Sequence, residues 1–330
     1  MRIAWLAAAG LPVVLFGVPM LLTRALARRA EKQVPVAGKF IDVPGARLHY
    51  TEKGSGPAIV MIHGLAAQLH NFTYGAVDLL ADRYRVICVD RPGAGYSTAT
   101  TAAHPGLREQ AAIIAHFIAA LGLDRPLVVG HSLGGAVSLR LALDHPGSVG
   151  ALALLSPLTQ PQDDIPEAFA KLVIPSPTVR GFVSRTLGIP VGWLGRQRTQ
   201  AVVFAPEPCP DDFESKGGNA LLFRPSSFFA ASSEVSAGSG ELVEMIARYP
   251  DLEVPVAILF ARQDKILDPD KHGGAMPIAS RRVTLDGIDG GHMFPITRPE
   301  ETAVWIDRKA RELFAAEAPA EPFSAITQRG

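Results

Sequence analysis

Five short runs of the chain are apolar at nearly every position: "PAIVMIHG", "YRVICVD", "PLVVGHS", "VGALALLSP" and "VPVAILFARQD". Four of them end in glycine, proline or aspartate, and "PLVVGHS" ends in Gly-His-Ser. A sixth run, "RRVTLDGI", is less apolar and is expected nearer an edge. Between several of these runs, apolar residues recur with a helical period, as over Arg108–Leu121, over the segment after Ser132 and over Pro299–Phe314. Strands without an outward polar face, alternating with helices, predict a mostly parallel central sheet with helices on both faces, an α/β class. Ahead of them, "KFIDVPGARLHYTEKGSG" reads as a hairpin turning at Pro44-Gly45.

Two stretches depart from this alternation. From Leu158 to about Pro250 there are many prolines, no clean strand, and apolar side chains (Phe169, Leu172, Trp193, Phe228, Phe229) spaced for short helices. The stretch is expected to be a helical lid inserted between two strands. At the N-terminus, Ile3–Leu22 is a run of twenty uncharged residues, long enough to cross a bilayer as a helix. Arg24, Arg28, Arg29 and Lys32 follow it, so the positive-inside rule favours an anchor with the rest of the chain on the cytoplasmic side. Ala25-Leu26-Ala27 resembles a signal-peptidase site, and the alternative is export after cleavage; the flanking arginines argue against it. The expected organisation is an anchor with basic flank over 1–34, a core over 35–157 and 251–316, a lid over 158–250, and a disordered Ala/Pro/Glu-rich tail over 317–330.

Composition narrows the chemistry. The 32 basic and 32 acidic residues of the 330-residue chain cancel, which removes the electrostatic warrant for a nucleic-acid partner. Of the two cysteines, Cys88 lies in a buried-strand pattern and reads as a core thiol; with Cys209 it makes neither a disulfide framework nor a metal-ligand spacing. No metal or cofactor is expected. The partner read from the chain so far is the membrane, through Ile3–Leu22.

The chemistry centres on Gly130-His131-Ser132-Leu133-Gly134, set where a buried strand becomes a helix. A turn this tight strains the serine backbone and needs glycine on both sides, because side chains there would collide across it. It lifts the serine hydroxyl above the sheet and leaves the Leu133 amide at a helix N-terminus, where it can stabilise developing negative charge. The second such amide is expected at Leu65, in the loop after "IVMIHG". A serine needs a base. His292, in the glycine-rich loop "DGIDGGHMFPITRP", is the candidate. His272 reads as solvated, His63 as a loop-orienting residue, and His131 as pointing elsewhere. The base needs a carboxylate, and Asp264 ends a strand on the same sheet edge as Ser132. Asp268 is the second choice; it and Asp270 read as turn or capping residues, and Asp289 as shaping the loop. Phe228 and Phe229 are candidates to line an acyl pocket.

The motifs "HGLAAQLHNF", "DRPGAGYS", "VVGHSLGGAVSLRLALDHP", "LFARQDKILDP" and "GGHMFPITRPEETAVWI", in this order, resemble the α/β-hydrolase superfamily from about Phe40 to Phe314. The resemblance implies the α/β-hydrolase fold, a nucleophile at Ser132, an acid at Asp264, a base at His292, oxyanion amides at Leu65 and Leu133, and a lid over Leu158–Pro250. An apolar anchor ahead of such a domain is similar to membrane-associated monoacylglycerol-lipase-type members, which implies cleavage of carboxylic esters and a small-molecule or lipid ester, with an apolar acyl group favoured, as the binding partner. Epoxide hydrolases and haloalkane dehalogenases of the superfamily carry aspartate where this chain has Ser132. The same triad also serves carbon–carbon hydrolysis, perhydrolysis and acyl transfer, and the fold hosts non-catalytic ligand binders.

Overall fold

The computed structural model describes residues 17–317 apart from 102 and 163. Nine strands form one sheet among the described residues: β1 (Lys39–Val43), β2 (Ala46–Lys53), β3 (Ala58–Ile62), β4 (Arg85–Val89), β5 (Thr98–Ala99), β6 (Leu127–His131), β7 (Ala151–Leu155), β8 (Val256–Ala261) and β9 (Val283–Ile288). The order is β1-β2-β4-β3-β6-β7-β8-β9, with the short β5 beside β2. From β4 to β9 all neighbours run parallel; β1, β2 and β5 join antiparallel. The less apolar run is β9, at the edge.

The longer helices are α1 (Val18–Gln33), α2 (Leu107–Ala120), α3 (Leu133–Asp144), α4 (Pro177–Arg185), α5 (Gly188–Phe204), α6 (Pro225–Ser236), α7 (Gly240–Arg248) and α8 (Pro299–Glu317). The period-2 geometry of the strands explains why the runs have no polar face. Val60 and Ile62 of β3 and Leu152 and Leu154 of β7 point to one side, where Ile114 and Phe117 of α2 and Val137 and Leu141 of α3 cover them. Ile59, Met61, Ala151 and Ala153 point to the other, under Trp305, Ile306 and Leu313 of α8. Fully burying each larger aliphatic chain stabilises the fold by about 1.5–3 kcal/mol. Cys88 sits in this second layer, where burial pushes its thiol well above the ordinary cysteine range.

Between β7 and β8 the chain forms α4, α5, α6 and α7 together with short 3-10 turns, and no strand among the described residues. Helices α4–α6 stand over the carboxyl edge of the parallel strands.

The membrane-crossing helix expected over Ile3–Leu22 falls mostly on residues 1–16, outside the described residues. Among the described residues no helix is long and apolar enough to cross a membrane. The described part of that region is the start of α1, which is bonded to the inserted helices: Thr23 Oγ1 donates to Thr186 O at 2.6 Å. The tail expected to be disordered lies outside the described residues from 318 onward.

Candidate active site

Ser132 joins β6 to α3 with φ 54° and ψ −120°, a left-handed conformation costly for any residue with a Cβ. The neighbouring glycines permit it. A Cβ on Gly134 would stand 2.2 Å from the Ile62 carbonyl oxygen, and one on Gly130 would stand 2.6 Å from that of Gly134. The turn is fixed by its own backbone: Ser132 N–H donates to Leu155 O at 3.0 Å, and Ser132 O accepts from Gly135 and Leu158. Leu133 opens α3, so its amide is one of the first-turn donors without an intrahelical acceptor. The Leu65 amide likewise has no acceptor among the described residues, and Leu65 lines the same cavity as Ser132.

Asp264, just past β8, and His292, in the loop between β9 and α8, are both buried and meet at 2.7 Å, Oδ2 to Nδ1. The other carboxylate oxygen of Asp264 accepts from the amides of Ile266 and Leu267 at 2.8 and 2.9 Å. Burial alone would raise the Asp264 carboxyl. The charge and hydrogen bond of His292, with the two amides, outweigh it and hold the group below its ordinary range. An ionised Asp264 takes the Nδ1–H of His292, which leaves Nε2 as the basic nitrogen. His292 and Ser132 line one cavity. Their side chains are not hydrogen-bonded to each other; such bonds often tighten only around substrate.

The cavity measures about 440 Å³. Its floor is Gly64, Leu65, Ser132 and His292, and its walls are largely apolar side chains of the inserted segment, among them Phe169, Leu187, Val191, Val203 and Phe228. Phe229, expected beside Phe228, is not in the wall. The Arg180 guanidinium lies 5.5 Å from its ring, because successive helical positions face different neighbours.

Two other expectations are corrected. His272 is buried, not solvated: its Nδ1 accepts from the amides of Thr159 and Gln160 at 3.2 and 3.3 Å, and burial pushes the ring down to about 4. His131 is turned toward the site. Its Nε2 donates to the carbonyl of His292 at 3.0 Å, and burial, followed by the nearby charge of His292, pushes it down to about 3. A ring this reluctant to protonate, with one nitrogen engaged, acts as a strut for the His292 loop and not as a base. His63 is neutral and buried, pushed down to about 4 by burial and the Arg91 charge; its Nδ1 donates to Gly64 O and its Nε2 accepts the Arg91 amide. Asp268 accepts from Lys271 N at 2.8 Å as a helical cap, and Asp289 pairs with Arg262 on the surface.

The sequence reading missed the supports of the site. Arg91, buried, donates through Nε to His63 O and through Nη2 to Gly64 O, at 2.9 and 2.7 Å, and pairs with Glu234 of α6. It therefore ties the Leu65 loop to the inserted helices. Burial opposes ionisation of Glu234, yet Arg91 and His104 hold its carboxyl far below the ordinary range. Glu207 accepts from Gly291 N at 2.9 Å and so fastens the His292 loop to the same insertion. Only the glycines at 290 and 291 signalled such a close approach: a Cβ on Gly291 would stand 2.1 Å from Ala205 O.

A sheet of this order, with a serine elbow and an Asp–His pair at its carboxyl edge, defines the α/β-hydrolase class. Residues 57–180 match the family profile described as alpha/beta hydrolase fold. The magnesium-chelatase 30 kDa subunit of Rhodobacter capsulatus is 30% identical over 251 residues, which are 74% of this chain and 83% of that one. The dihydrolipoyllysine-residue acetyltransferase component of the acetoin cleaving system of Cupriavidus necator is 40% identical over 129 residues, 39% of this chain; the match spans only 34% of that relative. Among solved structures, an alpha/beta hydrolase fold protein from Burkholderia ambifaria superposes with a TM-score of 0.71 at 21% identity, covering 83% of this chain and 97% of that one. The chain belongs to the α/β-hydrolase family.

Proposed function

We propose that the protein is a serine hydrolase of carboxylic esters with apolar acyl groups. What carries the reading is the sharing of one mainly apolar cavity by Ser132, Leu65 and His292, with Asp264 bonded to His292. Ser132 Oγ attacks the ester carbonyl as His292 Nε2 takes its proton. The tetrahedral oxyanion sits between the Leu65 and Leu133 amides. His292 then returns the proton to the departing alcohol, and a water activated by His292 clears the acyl-enzyme. Asp264 holds the Nδ1–H tautomer throughout.

The test is labelling of the full-length protein by a fluorophosphonate, with turnover of p-nitrophenyl esters of increasing chain length. Ser132→Ala is expected to abolish labelling and lower kcat by about 10⁴-fold or more. Labelling without ester turnover would move the reading to carbon–carbon, perhydrolytic or acyl-transfer chemistry. No labelling of wild type would remove the nucleophile altogether.

The relative from R. capsulatus favours a second reading, in which this chain serves a magnesium chelatase. The two separate in a magnesium-chelatase assay. Stimulation that survives Ser132→Ala supports the second reading, and stimulation lost with Ser132 makes hydrolysis its cause.

We also propose that the protein sits on a membrane, with the hydrolase region on the cytoplasmic side. Support comes from the apolar run ahead of α1 and from Val18, Leu21 and Leu22 of α1, Val179 of α4 and Leu194 of α5, all exposed. Recovery of full-length protein in the soluble fraction after cell breakage would overturn this.

A further inference from the structure

The lining of the active-site cavity grades from closed to open. Ser132, His292 and Phe204 are buried, whereas Lys171, Leu187 and Thr199 of the same lining are exposed. The mouth therefore lies between the 3-10 turn Ala170–Leu172 and α5. This mouth is joined to α1. Thr23 Oγ1 donates to Thr186 O at 2.6 Å, and the residues flanking the bond are Leu22 and Arg24 on α1, and Arg185 and Leu187 at the α4–α5 junction. All four are exposed, so each element presents one aliphatic side chain and one arginine. Leu21 and Phe182, also exposed, extend the apolar part.

The charge of this face is one-sided. Residues 168–204 include five cations and no Asp or Glu. Three of the five are accounted for: Arg180 is buried, and Arg196 and Arg198 pair with Glu214 and Glu167. Lys171 and Arg185 are exposed and have no carboxylate partner among the described residues, and the same holds for Arg24, Arg28, Arg29 and Lys32 of α1. The one acid of α1, Glu31, is taken by Arg224. Exposed aliphatic groups set among unpaired cations match the boundary between hydrocarbon and anionic head groups. The chain itself says where that boundary falls. The apolar run over 3–22 ends at the residue before Thr23. A bilayer that takes up this run has its surface at Thr23, and so at Thr186 and the cavity mouth.

We propose that the face formed by α1 and the α4–α5 junction docks on an anionic bilayer surface and holds the cavity mouth against it, so that acyl chains pass from lipid to Ser132 without crossing water. This rests on the membrane seat proposed above and goes beyond a tether. Arg24, Arg185 and Lys171 meet anionic head groups, and Leu187 meets the acyl region. The seat alone would leave the mouth free to face water.

The test uses full-length protein carrying Leu187→Cys in a Cys209→Ser background, labelled with the fluorophore NBD; Cys88 is buried and stays unlabelled. Vesicles are phosphatidylcholine alone, or equal parts phosphatidylcholine and phosphatidylglycerol, each doped with a doxyl-labelled quenching lipid. Flotation with the neutral vesicles reports the seat. Quenching at position 187 is expected in the anionic vesicles, weaker in the neutral ones, and lost when about 1 M salt shortens the screening length to about 3 Å. Arg24→Gln and Arg185→Gln should each lower the ratio of docked to undocked protein about fivefold. The salt titration needs no such substitution, so it decides the matter if those variants fail to fold. Flotation without quenching, quenching equal in both vesicles, or quenching that survives salt overturns the docking and leaves the seat. No flotation on either vesicle overturns both. Fluorophosphonate labelling of the same samples reports the hydrolase reading separately.

Discussion

At the residue scale, the Asp264 side chain has two roles on its two oxygens. One orients His292 and the other caps the Ile266 and Leu267 amides. Asp264→Asn can keep the second role and loses the first, because an amide nitrogen cannot accept the Nδ1–H. Thermal stability is expected to change little, while kcat for ester hydrolysis falls by about 10⁴-fold; a melt and a kinetic assay on one sample check both. Gly134 is the opposite kind of position. Gly134→Ala would press a methyl into the Ile62 carbonyl and force β3 and the elbow apart. A loss of about 3 kcal/mol or more in urea unfolding is expected. Both residues were legible in the sequence, since a tight elbow and a base-orienting carboxylate demand those residue types at those places.

At the element scale, the inserted helices are tied to the catalytic loops by buried polar bonds as well as by apolar packing. Arg91 bridges the His63–Gly64 carbonyls to Glu234 of α6. Glu234→Gln leaves a buried guanidinium without its countercharge, which destabilises by about 3–5 kcal/mol. It also loosens the loop that carries the Leu65 amide, so kcat/KM should fall with it. Because the folded-state carboxyl of Glu234 lies below its ordinary 4.5, the pair stabilises fully above that pH, and its contribution is lost progressively as pH falls further. The Glu234→Gln melt curve should therefore approach that of wild type in acid. None of this was visible in the sequence. Arg91 and Glu234 are 143 positions apart, and nothing in a helix's periodicity says which charged residue it turns inward. Phe228 and Phe229 show the same limit, since the periodicity does not fix the rotation of α6 over the cavity.

At the scale of the whole molecule, three histidines are buried and held neutral: His63 and His272, pushed down to about 4, and His131, pushed down to about 3. In the unfolded chain each titrates near its ordinary 6.5. Below that pH the unfolded state takes up protons that the folded state refuses, so stability falls as pH drops from about 6.5 toward 4. The melting temperature should decline from about pH 6.5 to about 5, above the range in which the carboxylates held low in the fold begin to contribute. His272→Gln should flatten the decline by up to about one proton. An unchanged slope would mean that this ring is protonated in the fold.

The sheet and its order of strands with helices follow from the sequence alone, because burial on both faces leaves an unbroken apolar run that few other environments produce. The serine elbow, its histidine and its aspartate are equally local demands: a strained turn needs its glycines, and each reacting group needs a loop at one edge of the sheet. Tertiary structure decided what those local rules do not encode. It set the inward turn of His131 and His272, the Arg91–Glu234 tie and the choice of Phe228 over Phe229 in the cavity wall. Each of these depends on how a helix is rotated and on which distant residue it meets, and such pairings are fixed only when the whole core closes.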